Sequence, residues 1–247
     1  MTPAARERSQ VRAPVLFVSA AAWTLLVLEP GSMGMHAHHT TMQDASLDMM
    51  LASNPPSSLA LGWALMLAAM MAPLLIAPVR HVRDRSFARR RARSIGLFVA
   101  GYAAIWMAAG VLLMSLAMAV RLYSPESFMP LGIAAIVALV WQISPLKQRC
   151  LNRGHAHPQL AAFGWAADIG AFRFGLTHGV WCAGSCWTFM LLPLLVTPWH
   201  MAAMAAVTLW LAAERLEPPA FPRWGLRVPL KAVRIAVAQA RFRLPIS

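Results

Sequence analysis

The most constraining feature of this sequence is a long apolar run, residues 95–120, in which none of the 26 positions is charged. A helix that crosses a bilayer needs about 20 mostly apolar residues. The whole chain has this character, because 59% of its 247 residues are hydrophobic and only 13% are charged. An ordinary soluble domain is about one-quarter charged. A soluble enzyme and a disordered chain are therefore excluded, and an integral membrane protein is predicted.

Six stretches have the composition of a membrane-spanning helix, so we predict an all-α, polytopic bundle of six transmembrane helices. The first stretch follows three arginines and could be a signal peptide. We interpret it as an uncleaved anchor, because residues 29–32 lack a small-x-small cleavage pattern. The six stretches are residues 14–28, 59–79, 95–120, 129–146, 171–196 and 197–213.

The distribution of basic residues predicts the orientation, because Lys and Arg concentrate in cytoplasmic loops. With the N-terminus inside, 21 of the 22 Lys and Arg residues fall on the inner side, and only Arg121 lies outside. Both termini are therefore predicted to be cytoplasmic, in a bacterial inner membrane. The net charge of +13 is interpreted as a topology signal, with membrane lipid rather than nucleic acid as the partner.

The same reasoning divides the chain into three parts. Residues 1–57 form an anchor helix and an outer loop, residues 58–217 a five-helix membrane core, and residues 218–247 a basic tail. In the tail, Arg227, Lys231 and Arg234 share one helical face. This spacing favours an amphipathic helix on the anionic inner leaflet, the alternative being a disordered basic tail.

The fifth stretch carries an unusual set of side chains at intervals of four residues. Residues four apart lie on one face of a helix, so His178, Cys182, Cys186 and Met190 form a ladder of imidazole, two thiols and a thioether. Such ligands suit Cu(I). The alternative is structural, since cysteine often serves as a small apolar residue. A disulfide within the ladder is not expected, because the Cβ vectors are poorly directed.

Small residues run beside that ladder. Gly175, Gly179 and Ala183 form a small-xxx-small stripe, which predicts the close approach of another helix.

Methionine is the second anomaly, with 16 in the chain. Several methionines lie on the second and sixth stretches, where they could extend the soft-metal site, although a methionine stripe is also typical of core packing. These candidate ligands are Met66, Met70, Met71, Met201 and Met204.

The outer loop after the first helix is the third feature. It contains methionine, histidine and acidic residues but no basic residue, a composition typical of metal capture, although chance could also produce it. The candidate capture residues are Met33, Met35, His36, His38, His39 and Met42.

Other residues carry weaker signals. No phosphate-binding loop, nucleophile elbow or paired intramembrane carboxylates occur in the sequence, so no enzymatic activity is predicted. Glu214 and Arg215 are expected to pair with each other. Pro73 and Pro78 are expected to kink the second helix and free carbonyl groups.

With these residues in view, the chain resembles a bacterial family of predicted metal-binding integral membrane proteins, a domain of unknown function sometimes labelled a copper chaperone. The resemblance covers residues 59–216 and implies a membrane metal site. Ser185 stands where the family often has another cysteine. The matching passages are Gly-Trp-Ala-Leu-Met at 62–66, Ala-Met-Met-Ala-Pro at 69–73, Ser-Pro-Leu-Lys at 144–147 before Cys150, Gly-Leu-Thr-His-Gly at 175–179, Cys-Ala-Gly-Ser-Cys-Trp at 182–187, and Met190, Met201, Met204 and Glu214.

The leading hypothesis is an inner-membrane copper-handling protein that holds Cu(I) with intramembrane Cys, Met and His side chains. A periplasmic protein would be its metal donor or acceptor. Two alternatives are a non-catalytic subunit of a larger membrane complex and a thiol redox protein. The second is less favoured, because no Cys-x-x-Cys motif is present.

Overall fold

The computed structural model describes residues 3–28, 55–124, 127–196 and 199–243, and all regular structure in these residues is helical. The predicted all-α class is therefore confirmed. Two 3₁₀ turns, Ala72–Leu75 and Ala88–Arg90, join helices. The helices are α1 (Pro3–Leu28), α2 (Pro56–Met71), α3 (Ile76–Asp84), α4 (Arg91–Tyr123), α5 (Met129–Ile143), α6 (Pro145–Gly154), α7 (Gly164–Leu195), α8 (His200–Leu216) and α9 (Leu230–Arg243).

Among the described residues, four helical segments are long and apolar enough to cross a membrane. They are Gln10–Leu28, Pro56–Asp84, Ala88–Tyr123 and Gly164–Leu195. Helices α5 and α6 make a fifth candidate if they are taken together as one span bent by 66°. By length and composition the described residues thus contain four or five candidate spans, fewer than the six predicted, and the sixth crossing stays a prediction.

The difference from six spans has two physical causes. Helix α8, which covers most of the predicted sixth span, has only 17 residues, or about 26 Å at 1.5 Å per residue, against a hydrocarbon core of about 30 Å. The fourth span breaks at Ser144, where a proline follows immediately. Ser144 caps α6 by accepting a hydrogen bond from the Lys147 N–H at 3.1 Å, an arrangement typical of a new helix start.

Helices α4 and α7 form the central pair of the bundle, and glycines let them approach closely. A Cβ atom at Gly175 would run into the carbonyl of Phe98, and one at Gly179 would lie 2.9 Å from Cβ of Ile105. On α4, a Cβ at Gly101 would meet the carbonyl of Phe172. The predicted small-residue stripe is confirmed, and α4 is the helix that packs on it.

The break between α2 and α3 follows from Pro73. Proline has no N–H, so the carbonyl four residues earlier, Ala69, loses its helical donor. Helix α1 supplies the replacement, because Ser19 Oγ and Trp23 Nε1 donate to this carbonyl at 2.7 and 3.1 Å. The predicted freeing of a carbonyl is confirmed for Pro73, at the 3₁₀ turn Ala72–Leu75, and the freed carbonyl attaches α1 to the core.

The basic tail forms a helix, α9, as its residue spacing predicted. The described side chains Lys231, Val233 and Arg234 are exposed. The Lys231 backbone N–H donates to the Glu217 carboxylate at 2.5 Å, which ties the start of α9 to the residue after α8. The predicted lipid contact of this helix stays a prediction.

Candidate metal centre

The ladder predicted on α7 lies inside the bundle. Cys182 and Cys186 are each 1% exposed, and Met190 is fully buried. Both cysteines are free thiols, and Cys186 Sγ donates to the Cys182 carbonyl oxygen at 3.0 Å. The structure thus places two reduced thiols one helical turn apart, with a thioether one turn further along.

Other methionines join the two thiols in the same cluster of buried residues, although they come from different helices. Helix α2 contributes Met66, Met70 and Met71, and α8 contributes Met204. Each is at most 1% exposed. Met201 packs against the edge of this cluster and is half-buried. We call the set Cys182, Cys186, Met66, Met70, Met71, Met190 and Met204 the sulfur cluster.

His178 has a different environment. Its ring is buried among aromatic side chains, with centroid distances of 5.9 Å to Phe98, 6.0 Å to Tyr102 and 5.8 Å to Phe174. Within the described part of the chain, no three His, Cys, Asp or Glu side chains come together to hold a metal ion. His178 therefore does not complete a three-ligand set with the two cysteines, and its role as a ligand stays a prediction.

The polar side chain of Tyr102, from another helix, reaches the thiols, and sequence reasoning did not single it out for this site. The Tyr102 hydroxyl of α4 lies 3.3 Å from Cys182 Sγ. Arg215, near the end of α8, is half-buried, with its Nη1 atom packed against Gly154 and its Nη2 atom buried without a hydrogen-bond partner among the described residues.

The expected pair between Glu214 and Arg215 is wrong. Glu214 instead binds Lys147, whose Nζ lies 2.7 and 2.9 Å from the two carboxylate oxygens. Gln142 and Trp210 also donate to Glu214. Consecutive residues on a helix point about 100° apart. Glu214 therefore faces Lys147 and Gln142, whereas the guanidinium of Arg215 lies against Gly154.

An apolar cavity of about 570 Å³ adjoins the sulfur cluster between α1, α2 and α4. Met71, Met107 and Tyr102 line one part of its wall. Tyr102 therefore both lines the cavity and contacts Cys182.

Two groups of sequence candidates lie elsewhere. The outer capture residues, Met33 to Met42, fall outside the described residues. Cys150 of α6 is half-buried against α7, where a Cβ at Gly184 would lie 2.9 Å from its sulfur. Cys150 does not belong to the cluster of buried residues that contains the other two thiols.

The chemistry of this donor set fits a soft cation. The buried donors are two thiols and five thioethers, and sulfur ligands of this kind select Cu(I) over Mg²⁺, Ca²⁺ or Mn²⁺. A Zn²⁺ site commonly uses four Cys, His or carboxylate ligands, and the described residues contain no group of three. Cys182 and Cys186 would hold the ion, with thioethers completing its coordination.

The fold and this centre define a helical protein with spans suited to a membrane and a buried sulfur-rich core. Residues 60–237, well over half of the chain, match the PpoB2 family, which is described as a copper chaperone. The chain belongs to this copper chaperone family, and the resemblance predicted from the motifs is confirmed. No curated protein and no solved structure matches the chain.

Proposed function

We propose that this protein is a multi-pass, inner-membrane copper chaperone that binds Cu(I) within its helical bundle. Cys182 and Cys186 are the primary ligands, and buried thioethers such as Met190 and Met70 complete the site. The role is binding and transfer rather than catalysis. The copper ion is cargo, received from or passed to a partner protein on the periplasmic side.

One observation carries the proposal: two free thiols and five methionine side chains from three helices share one buried cluster. Methionine packs well in any apolar core, so thioethers alone would be weak support. The two thiols add ligands that bind soft metals strongly. The copper chaperone description of the family agrees with this chemistry.

The topology we propose places both termini in the cytoplasm. The four long helical segments each cross the membrane, and the bent α5–α6 pair makes a fifth crossing. Helix α8 is a short sixth crossing that returns the chain to the cytoplasmic side. This places the Met- and His-rich loop, residues 29–54, in the periplasm, where it would collect copper before the ion reaches Met66 and Met190. Arg121 then lies near the outer end of the bundle, where its guanidinium donates to the Leu194 carbonyl at 3.0 Å.

The test is a Cu(I) titration of the full-length protein in detergent, under reducing conditions, against a chromogenic chelator. We expect the Cys182→Ser/Cys186→Ser variant to lose tight Cu(I) binding. Cys150→Ser is the matched control, because it removes a half-buried thiol outside the cluster and should bind Cu(I) like wild type. Equal Cu(I) retention by the double variant and the wild type would overturn the proposed site.

The thioethers need a separate test. Met190→Leu keeps the volume of the side chain and should cost less than about 1.5 kcal/mol of stability, yet it removes a soft ligand. We expect weaker Cu(I) binding with little change in thermal unfolding. Met129→Leu, at a side chain that is 72% exposed, is the control and should change neither. If Met190→Leu leaves Cu(I) binding unchanged, Met190 is packing and not a ligand.

A further inference from the structure

The apolar cavity beside the sulfur cluster has one polar end. Its volume is about 570 Å³, and Gln10, Arg83 and Arg91 line it together with apolar side chains of α1, α2, α3 and α4. Arg83 donates a hydrogen bond to the Gln10 side chain, which brings the polar residues of α1 and α3 together. Arg83 lies near the end of α3, and Arg91 begins α4 after a short connection. Both positive charges are therefore at the same end of the cavity.

The rest of the cavity is apolar and long. Its wall on α4 is a stripe of residues at intervals of four, so consecutive members lie on one helical face. From Arg91 to Met107 the stripe extends over 16 positions, or about 24 Å at 1.5 Å per residue. One leaflet with its headgroup layer is half of a bilayer, or about 21 Å, so the cavity has the length of one leaflet. The members of the stripe are Arg91, Ile95, Val99, Ala103 and Met107.

The cavity opens sideways between α1 and α4. Val18 of α1 and Val99 of α4 both line it and are 51% and 39% exposed. The opposite wall is closed, because Met71 and Tyr102 are buried. A hydrocarbon chain can therefore enter the cavity from the open side.

The charge at the polar end is positive. None of the residues that line the cavity is acidic. The Arg91 Nε donates to the Ser86 carbonyl oxygen at 3.4 Å, and within the described part of the chain Arg91 forms no ion pair. The Asp168 carboxylate binds Arg90 and Arg93 instead, at 2.6 and 2.7 Å. The guanidinium of Arg91 is therefore available to an anionic group of a ligand.

We propose that this cavity binds one anionic phospholipid, with an acyl chain along α4 and the phosphate group at Arg83 and Arg91. Basic pockets between membrane helices on the cytoplasmic side bind anionic headgroups in this way. Residues 80–93 lie on that side in the topology proposed above. The inference goes beyond the copper function and takes only this orientation from it, so a failure of Cu(I) binding would leave it unaffected.

The choice of an anionic lipid follows from the charge balance. The headgroup of phosphatidylcholine contains its own cation, so its net charge is zero and it does not neutralise the two guanidinium groups. The headgroup of phosphatidylglycerol has one net negative charge, and arginine can bind its phosphate through two hydrogen bonds. The apolar contacts of the acyl chain are the same for both lipids. The headgroup alone therefore determines the preference.

The experiment is native mass spectrometry of the full-length protein in detergent, with equal amounts of phosphatidylglycerol and phosphatidylcholine that have identical acyl chains. We expect wild type to retain one phosphatidylglycerol in preference to phosphatidylcholine. In Arg91→Gln the ratio of the two retained lipids should fall about fivefold, the effect of one basic residue near an anionic lipid.

Arg89→Gln is the matched control, because Arg89 is exposed and does not line the cavity. It should keep the wild-type ratio. Equal retention of both lipids by wild type, or an unchanged ratio in Arg91→Gln, would overturn the inference.

A second pair of variants tests the cavity itself. Ala103→Trp places a large ring inside the cavity and should lower the retention of both lipids several-fold. Ala104→Trp is its control, because the neighbouring Ala104 is exposed and does not line the cavity. If the two variants retain lipid equally, the lipid binds elsewhere and the inference is overturned.

Wild type alone provides a further test if a variant does not fold. A phosphatidylglycerol with a photoreactive diazirine at the end of one acyl chain should label Ala103 and Met107, at the far end of the stripe. Labelling confined to surface positions such as Val111 and Leu112, which are 66% and 73% exposed, would overturn the inference. Displacement of phosphatidylglycerol by an uncharged isoprenoid lipid would do the same, because it would identify a different occupant.

Discussion

The hydroxyl of Tyr102 lies 3.3 Å from the Sγ atom of Cys182, and this contact joins the two central helices, α4 and α7, at the sulfur cluster. Tyr102 is itself held by stacking on Phe98, with ring centroids 6.5 Å apart. Packing therefore helps to fix the position of this buried ring. Removing the hydroxyl should change the chemistry of the thiol more than the fold.

We expect Tyr102→Phe to weaken Cu(I) binding by about tenfold, because hydrogen-bond partners of metal ligands contribute about 10- to 100-fold to affinity. The loss in stability should be about 1 kcal/mol, the net value of a typical hydrogen bond. Chelator competition measures the first effect and thermal unfolding in detergent the second.

The matched control is the other tyrosine of the chain, Tyr123, which is 89% exposed. Tyr123→Phe should change neither quantity. Wild-type Cu(I) affinity in Tyr102→Phe would show that the hydroxyl does not act on the metal ligand.

The close packing of α4 and α7 predicts the effect of a single methyl group. Gly175→Ala places a Cβ against the Phe98 carbonyl, so the helices must separate, at a cost of about 1–3 kcal/mol. Unfolding in denaturant measures this loss. Because the backbone of Phe98 cannot move as a flexible side chain could, we expect the upper part of that range.

Gly96→Ala is the control on the other helix, because a Cβ at Gly96 meets nothing within 4 Å. It should stabilise the protein by about 0.5–1 kcal/mol, the ordinary preference for alanine in a helix. Equal effects of the two substitutions would contradict the packing account.

The buried pair of Lys147 and Glu214 should be sensitive to the loss of one partner. Lys147 is 1% exposed and Glu214 is 8% exposed, so Lys147→Met leaves a buried carboxylate without its cation. We expect a loss of about 3–5 kcal/mol, measured by thermal unfolding. The double variant Lys147→Met/Glu214→Gln removes both charges and should recover much of the lost stability.

Arg93→Met provides the comparison, because Arg93 binds Asp168 with a side chain that is 63% exposed. An ion pair with an exposed cation is worth about 1 kcal/mol or less, and the buried Asp168 carboxylate keeps Arg90 as a partner at 2.6 Å. If Lys147→Met lowers the stability no more than Arg93→Met does, the buried Lys147–Glu214 pair does not stabilise the bundle more than the Arg93–Asp168 pair.

Several parts of the site follow from local sequence rules. The helical repeat predicts that Cys182, Cys186 and Met190 share a face, and the structure shows all three buried in one cluster. Glycine spacing predicts the close approach at Gly175, and Pro73 predicts the break between α2 and α3. Each of these rules depends on residues within one or two turns of each other.

The number of spans and the surroundings of the thiols could not be derived in this way. The bend at Ser144 and the short α8 depend on local geometry that an apolar composition does not reveal. His178 and Cys182 are one turn apart on α7, yet the His178 ring packs between the rings of Phe98 and Phe174. Phe98 belongs to α4, so this contact depends on how α4 and α7 pack together.

From the chain alone, the helical class, the apolar spans, the soft donors on α7 and the family could be established, since all four depend on residue type and on spacing along one element. The contacts that side chains make between helices could not be established in this way. Glu214 binds Lys147, and Arg215 lies against Gly154, because α8 packs against α6 and α7 at one particular rotation. The charge of Glu214 can be read from the sequence, but its cation, Lys147, lies 67 positions away along the chain.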